Sequence, residues 1–539
     1  MAYNLLVERW ITVRRRSGAV ESITPAQIAE RSDPPVRIAS PRPDFDGALL
    51  EFLVALFQTA AAPTSERAWR EALAAPPSVE ALARRLASVR EAFDLDGNGP
   101  RFMQDLTVDR DPKKNREPIG ALLIDRIGES GLSQAPSLFA KPGLFERLGY
   151  PSAAAALMAL QSYAPAGGRG QFTSLRGGGP LTTLLTGDDL WATVWLNVLP
   201  RNRFEELVPG DRDLDTPAAI FPWMAKTRGG RTPPQKVHPL QHLWGLPRRI
   251  RLEFDQSETG VCSVSGAQGP VVTAYVNRPD GTSYEGDFRH PYTPYSALKP
   301  GEPWNAKKGS ADGLPYRDWP LLVTGGEKRA PAAVVTHFAS ARREAAGGVR
   351  LLAFGYAMDK MKPLRWCRAE TPFVAVPPDL AESFASQVEA FVAASEDVRR
   401  TLTFQVKCAW SDRPKDLDAP PHLNAAFWSR TEQTFFDAVH GLATALERGA
   451  TDERDRLAER WLAQLHTAAL ELFDVIVSPS PELATADLRR AVQARRSLEL
   501  ETRPSSQKLR KLLGLTVEEA GAGRTPQAKS THRKKEEES

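Results

Sequence analysis

Hydrophobic and polar residues alternate differently in successive parts of the chain. Near the start, the short apolar runs at residues 4–7 and 10–13 have the length and composition of strands. From Phe45, apolar residues recur every three or four positions, which predicts a helix. A second helical stretch over 65–92 is interrupted at Pro76-Pro77. The first part of the chain is therefore predicted to mix strands and helices.

The middle of the chain, from about 95 to 370, is rich in glycine, proline and tryptophan. Its apolar runs are short, as at 271–276 and 351–354, and each is bounded by residues that favour turns. This pattern predicts an irregular mixed domain whose strands are joined by long functional loops.

The last part of the chain has the pattern of several amphipathic helices. Phe384, Val388 and Phe391 lie on one face of the first, and a strand-like piece follows at 401–406. Proline-containing breaks at 418–422 and 479–481 separate the later helices. The fold class predicted is α+β: a large irregular N-terminal domain, then an antiparallel four-helix bundle. The predicted boundaries are 1–375 for the mixed domain, 376–514 for the bundle and 515–539 for a disordered tail.

Composition narrows the functional class only slightly. The 539 residues carry a net charge of +4, a weak hint of nucleic acid for a protein that shares binding with other subunits. Three widely spaced cysteines exclude a disulfide scaffold and a CxxC zinc motif. No apolar run approaches the length of a membrane span, and the apolar patch at the N-terminus is too short for a signal peptide. We expect a cytoplasmic protein that does not bind membranes.

Common catalytic motifs are missing from the sequence. There is no Walker A loop, no G-x-S-x-G elbow and no H-E-x-x-H pair. His238 and His242 have the spacing of metal ligands, but Pro239 lies between them and no acidic residue is placed as a base. A carboxylate metal nuclease stays open, because aspartate and glutamate are plentiful, yet nothing marks one.

A glycine-rich segment at 167–180 is the most distinctive local feature. Glycines let a backbone approach a ligand closely, with N–H groups that can meet phosphates or base edges. Arg169 and Arg176 add charge that could contact a phosphate backbone. The alternative interpretation is a flexible surface loop.

Two further stretches have the composition of elements that insert into nucleic acid. One is 296–301, with Lys307-Lys308 close behind, and the other is the turn at 355–363. A turn with Met, Lys and Asp at its tip can place apolar atoms beside a base pair while its cation faces phosphate. The alternative is an ordinary polar hairpin.

Several ordered segments resemble the CasA family, the large subunit of the type I-E CRISPR Cascade complex. They are residues 4–14, 101–104 and, as the strongest match, 174–199. The order of strands, irregular domain and helical bundle is also similar, so that the resemblance covers about residues 1–500.

The resemblance implies a non-catalytic subunit of an RNA-guided surveillance complex, without a cofactor. Such a subunit recognises the protospacer-adjacent motif (PAM) in double-stranded DNA and promotes strand separation and R-loop formation. It then helps to recruit a separate helicase–nuclease. The implied partners are the guide-RNA-bound backbone, handle-binding and small subunits of Cascade, while the guide reads the remaining target by base pairing.

The resemblance also implies roles for particular residues. It assigns a glycine loop, a minor-groove lysine, a wedge hairpin and a loop near the 5′ handle of the guide. Lys307 or Lys308 could replace the loosely matched lysine. The residues are Gly167, Gly168 and Gly170 for the glycine loop, Lys299 for the groove, Met358, Asp359, Lys360 and Met361 for the wedge, and Phe139 with Lys141 for the handle loop.

Two departures from the family pattern qualify these assignments. The family often has amides at the wedge tip, whereas this chain has Asp359-Lys360, which leaves the PAM preference open. Some members bind zinc through two cysteine pairs, but here only Cys262 remains, with Ser265 in place of a partner. We therefore predict no metal. A structural scaffold and an enzyme of the central domain remain the alternatives.

Overall fold

The computed structural model describes residues 2–108, 115–126, 144–214, 216–477 and 485–516. The chain divides into two compact units, Met1–Ser386 with Leu446–Arg448, and Gln387–Ala445 with Gly449–Ser539. The dividing point lies inside a helix, whereas the sequence placed it at 375/376, just before that helix. The predicted tail lies outside the described residues from 517 onward.

The first unit begins with a three-stranded antiparallel sheet in the order β2-β1-β3. Its strands are β1 (Ile11–Arg15), β2 (Val20–Ile23) and β3 (Pro35–Ile38). The strand predicted at 4–7 is wrong. Asn4 instead forms a single bridge with Asp94, and its side-chain oxygen accepts a hydrogen bond from the Leu6 amide at 3.1 Å, as in an Asx turn.

Three helices follow this sheet. Helix α1 (Pro43–Ala60) is buried along most of its length and forms part of the core of this unit. Helices α2 (Glu66–Ala74) and α3 (Val79–Leu86) lie on either side of the predicted break at Pro76-Pro77, which is confirmed. Ser65 and Ser78 cap them, each side chain accepting a backbone N–H of the first turn.

A long hairpin forms the second sheet. Strands β8 (Arg249–Val261) and β9 (Gln268–Arg278) pair antiparallel, and β9 also pairs with β4 (Arg116–Pro118) and β5 (Leu148–Gly149). Smaller sheets join β7 (Gly230–Thr232) with β10 (Thr282–Tyr284), and β11 (Tyr295–Ser296) with β12 (Asn305–Ala306) and β13 (Arg329–Ala330). The helices here are α4 (Tyr150–Tyr163), α5 (Leu190–Leu196), α6 (Arg201–Leu207), α7 (Pro217–Ile220), α8 (Trp319–Val323) and α9 (Ala333–Ala341).

One three-stranded antiparallel sheet positions the candidate site. It has the order β15-β14-β6, with β6 (Thr182–Thr186), β14 (Arg350–Asp359) and β15 (Lys362–Pro372). In the β6–β14 pair, Thr186 lies opposite Arg350 and Thr182 opposite Phe354. The strand predicted at 351–354 therefore occupies the centre of this sheet.

The second unit is built from long antiparallel helices. They are α10 (Ala381–Trp410), α11 (Pro421–Glu447), α12 (Thr451–Ile476) and α13 (Thr485–Thr502), followed by the short α14 (Gln507–Leu512). Arg430 of α11 pairs with Glu471 of α12, while Gly441 packs on Leu457, so these two helices run in opposite directions. Gln405 of α10 likewise bonds Glu501 of α13, and Asp412 pairs with Arg490.

The strand predicted at 401–406 is wrong, because these residues continue helix α10. The hydroxyls of Thr401 and Thr403 donate to backbone carbonyls one turn earlier, at 3.0 and 2.9 Å. Leu402 and Val406, four residues apart, are fully buried in the bundle. Tertiary burial at helical spacing has therefore outweighed the local β propensity. Among the described residues, no helix combines the length and apolarity needed to cross a membrane.

Candidate nucleic-acid interface

The register of the β6–β14 pair brings the glycine-rich segment and the predicted wedge together. The pairing ends at Thr182 opposite Phe354, and Gly179 lies close to Met358 just beyond it. The contacts agree, because a Cβ on Gly179 would stand 2.7 Å from Met358 Cγ. Two segments that are far apart in sequence therefore meet through one sheet.

The predicted wedge is the tip of the β14–β15 hairpin. Asp359 pairs with Lys362, and only Lys360 and Met361 lie between the strands. Both have left-handed backbones, with φ of 45° and 66°, as in a type I′ turn. Non-glycine residues in this conformation cost about 1–2 kcal/mol each. The side chains of Lys360 and Met361 are exposed, so the turn presents a cation and a thioether at its end.

Gly178 and Gly179 make room for this hairpin. A Cβ on Gly178 would stand 3.0 Å from Met361 Sδ and 3.1 Å from Pro165 Cα. Met361 therefore lies beside Pro165, at the entrance of the loop that contains the other three glycines. A side chain at Gly178 would have to displace either the Met361 side chain or the backbone at Pro165.

The predicted glycine loop forms a tight turn. The Gly167 amide donates to the Gln171 carbonyl at 3.0 Å, and the Gln171 amide donates to the Gly168 carbonyl at 3.1 Å. Gly168 has φ of 101° and open space around it. Within the described residues, the N–H groups of Gly168, Arg169 and Gly170 have no acceptor. Three consecutive backbone donors are therefore available at an exposed turn.

On its other side, the loop packs against residues 279–280. Gly170 has φ of 74°, and its carbonyl accepts the Asp280 amide at 2.9 Å. A Cβ here would lie 2.6 Å from Pro279 Cβ. Glycine is thus required at 170 by both conformation and space.

Arg176 does not provide the phosphate contact suggested by the sequence. Its guanidinium is buried and donates to Glu51 at 2.7 Å and to Thr293 at 3.1 Å. Tyr163 also donates to Glu51, and burial together with that carboxylate raises the pKa of the phenol well above its usual value. Arg176 is therefore structural, whereas Arg169 stays exposed on the loop.

Arg248, which sequence reasoning missed, lies under the glycine loop. Its Nε donates to the Phe172 carbonyl at 2.7 Å, Nη1 to Gln171 Oε1 at 2.9 Å, and Nη2 to the Pro165 carbonyl. Burial lowers the pKa of its guanidinium to about 10. The sequence shows only a basic pair before a strand, which is too common a signal to identify this residue.

The three candidate lysines have different surroundings. Lys307 is held by Asp318 at 2.9 Å. Lys308 is exposed on a segment that bridges Pro180 and is followed by Gly309, which bridges Ala357 of the hairpin. Lys299 is also exposed, in the turn at 298–301. Lys308 is thus the lysine placed directly between the glycine-rich segment and the hairpin.

Two sequence predictions concern other places. Phe139 and Lys141, predicted for the handle contact, lie outside the described residues. Cys262 is buried and donates to Ser152 Oγ at 3.3 Å, while the Ser265 amide donates to its sulfur at 3.4 Å. Burial alone would raise the pKa of the Cys262 thiol, but hydrogen bonds that its thiolate can accept from the two serines and from backbone amides outweigh burial and lower the pKa to about 7. Among the described residues, no group of three His, Cys, Asp or Glu could hold a metal.

Comparison with known proteins identifies similar chains. A family model described as CRISPR-associated protein Cse1 matches residues 4–472. The Thermobifida fusca Cse1 structure shares 16% identity over 96% of this chain and 99% of its own, with a TM-score of 0.69. A Thermus thermophilus CasA structure shares 19% identity over 95% and 100%, with a TM-score of 0.65. A chain of a CRISPR RNA-guided surveillance complex shares 18% identity over 93% and 99%, also with a TM-score of 0.65. The predicted α+β fold with C-terminal helices is confirmed by these likenesses.

Proposed function

The chain belongs to the CRISPR-associated Cse1 family, and we propose that it is the PAM-reading subunit of an RNA-guided surveillance complex. In this role it recognises the PAM in double-stranded DNA, starts strand separation and promotes R-loop formation. It carries out no catalysis itself and helps to recruit a helicase–nuclease after the R-loop forms. Its other partners are the guide-bound backbone, handle-binding and small subunits, with Phe139 and Lys141 proposed at the 5′ handle.

The observation that carries this proposal is the convergence of three elements. An exposed glycine turn with three free backbone donors, a two-residue hairpin tip and an exposed lysine all adjoin segment 177–180. None of them contains a nucleophile with an adjacent base. Together they offer donors, a cation and an apolar tip, which suits binding and deforming DNA.

The chemistry of the glycine turn fits the minor groove. That groove presents acceptors at A·T and T·A pairs alike, and only guanine adds a donor. Backbone N–H groups at 168–170 can meet those acceptors, and Arg169 can reach a neighbouring phosphate. A reader of this kind tolerates several PAMs and contributes only a few kcal/mol, which lets the complex leave most sites.

The hairpin tip is proposed to act next to this reader. Met361 would stack against an opened base step, while Lys360 would face the phosphate backbone. Separating one step costs about 1.4 kcal/mol on average, and pairing of the freed strand with the guide returns a similar amount. A small apolar tip is therefore sufficient to start the exchange.

We propose Lys308, in preference to Lys299, as the groove lysine. Lys308 lies on the segment that bridges both Pro180 and the hairpin. Its side chain therefore extends from a position next to the glycine-rich segment and the hairpin. Lys307 is less suited, because it is already paired with Asp318.

A gel-shift titration of guide-loaded complex on duplexes with randomised PAMs tests the function. Complex without this chain is compared with complex containing it, and with complex carrying Lys360→Ala and Met361→Ala. We expect duplex binding to require the chain, and the double substitution to abolish discrimination among PAMs. Lys415→Ala removes an exposed lysine in the second unit and serves as the control, with discrimination unchanged.

Two results would contradict the proposal. If duplex binding is the same without the chain, it does not read the PAM. If the chain is needed for assembly but the double substitution leaves discrimination intact, a scaffold role explains the data better.

A further inference from the structure

We propose that Arg248 is the positioning residue of the glycine loop, which fixes the backbone donors at 168–170 in the shape that meets DNA. This inference rests on the proposed function, because it explains how the same site is organised. Arg248 itself lies beneath the loop, is only 8% exposed and would not touch DNA.

The guanidinium holds both ends of the loop. One nitrogen donates to the Pro165 carbonyl, before the first glycine, and another donates to the Phe172 carbonyl, after the last. The third donates to the side chain of Gln171. The planar fork of arginine can satisfy three acceptors at fixed angles, which a lysine ammonium on a flexible stem cannot reproduce.

The backbone of Arg248 is also held in place by a helix. Gln161 of helix α4 accepts the Arg248 amide and donates to its carbonyl, both at 3.1 Å. Above it, Gly167 lies so close that a Cβ would stand 2.9 Å from Arg248 Nη1. Movement of the loop toward or away from the strand is therefore restricted on both sides.

The surroundings of its charge distinguish Arg248 from two other buried arginines of this unit. Arg176 is paired with Glu51, and Arg342 with Glu66. Within the described residues, Arg248 donates only to neutral oxygen atoms. Burying a cation without a counter-ion is costly. With a pKa of about 10, the guanidinium stays charged at neutral pH. A positive charge beneath a loop that approaches DNA would attract the phosphates, which gives a functional reason for burying it.

Arg248→Lys keeps the positive charge but removes the planar guanidinium, so it tests the geometry of the contacts separately from the charge. The assay is the gel-shift titration of assembled complex, on PAM duplexes and on targets whose strands are already separated. We expect the variant to lose about tenfold in discrimination between PAM and non-PAM duplexes. Binding to the pre-opened target should be unchanged, because the guide alone reads it. Arg248→Gln, which also removes the charge, should lose more and bind duplex with a weaker dependence on salt.

Arg342→Lys is the matched control. This substitution also replaces a buried arginine whose guanidinium donates to two backbone carbonyls, those of Leu196 and Val198. Arg342 is distant in the chain from the glycine loop. We expect it to lower the melting temperature as Arg248→Lys does, with discrimination unchanged. Gln171→Ala removes one of the three loop contacts from a half-exposed side chain and should lose about threefold in discrimination.

The outcomes separate this inference from the function on which it rests. Wild-type discrimination in Arg248→Lys, or equal losses in Arg248→Lys and Arg342→Lys, would overturn the positioning role. If Arg248→Lys fails to assemble, unchanged discrimination in Gln171→Ala overturns it. If the hairpin double substitution is also without effect, the proposed function itself fails. Loss with the hairpin variant but not with the Arg248 variants refutes only the inference.

Discussion

Replacing the hairpin tip by Asn-Gly should abolish strand separation while leaving the stability of the protein nearly unchanged. In Lys360→Asn with Met361→Gly, the two residues become those that a type I′ turn prefers. The strand pairing of Asp359 with Lys362 is kept. The change therefore removes the side chains of the proposed wedge but preserves the shape that carries them.

Two opposing effects set the stability of this variant. Met361 has φ of 66°, and replacing it with glycine relieves about 1–2 kcal/mol of backbone strain. Met361 is 40% exposed, so the loss of its buried part against Gly178 and Pro165 costs about 1–2 kcal/mol, given about 1.5–3 kcal/mol for a fully buried side chain. Asparagine tolerates the left-handed region better than lysine, which adds a small gain at 360. The net change should be within about 1 kcal/mol.

Urea unfolding of the chain and permanganate footprinting of bound PAM duplexes measure the two quantities. We expect the unfolding midpoint to move little and thymines next to the PAM to lose reactivity, since an unopened duplex protects them. Normal opening at unchanged stability would show that the side chains of the tip are not the wedge. A loss of stability above about 3 kcal/mol would refute the balance of strain and burial.

Three further predictions concern neighbouring features. Lys307→Ala should lower stability by about 1 kcal/mol with DNA binding unchanged, because it removes a partly buried ion pair with Asp318. Lys308→Ala should weaken PAM binding with stability unchanged, and chemical unfolding and gel shifts of both variants check this. Burial lowers the pKa of His242 from 6.5 to about 3, so the unfolded chain binds a proton that the folded chain does not, and stability should fall as the pH drops below 6.5, by about 2 kcal/mol at pH 5. His242→Phe should flatten that part of the pH curve, and an unaltered curve would contradict it. Elemental analysis of purified chain should find less than about one zinc per ten molecules, because Cys262 has serines as its nearest polar partners; stoichiometric zinc would refute this.

The sequence predicts best those elements whose signal is local. Helix α1 and the break at Pro76-Pro77 follow from periodicity and from the missing proline N–H, and both are present. The turn at 355–363 is also a local feature, since a short polar segment directly follows an apolar run. One of the wrong predictions shows where local composition fails. Residues 401–406 read as a strand by composition, but burial of Leu402 and Val406 at helical spacing keeps them in α10.

The arrangement of the site could not be derived from local patterns. Arg169 and Arg176 are equivalent in sequence, yet one is exposed and the other is neutralised by Glu51, which lies 125 residues away. Arg248 contacts the glycine loop across 77 residues at Gln171. Such partners are chosen by tertiary packing, and a single sequence contains no signal for them. The family resemblance suggested these elements but did not rank the three lysines.

The register of the β6–β14 pair sets the distance between the proposed PAM-reading glycine loop and the proposed wedge at the hairpin tip. The glycine-rich segment leads directly into β6, and the hairpin tip is the continuation of β14, so the β6–β14 pairing fixes their separation. A slip of two residues would keep the same faces buried but move Met361 by about 7 Å relative to Gly178. The close approach of Gly178 to Met361 Sδ would be lost in that slip. In the proposed function, binding at the glycine loop and insertion of the tip are therefore coupled through one sheet.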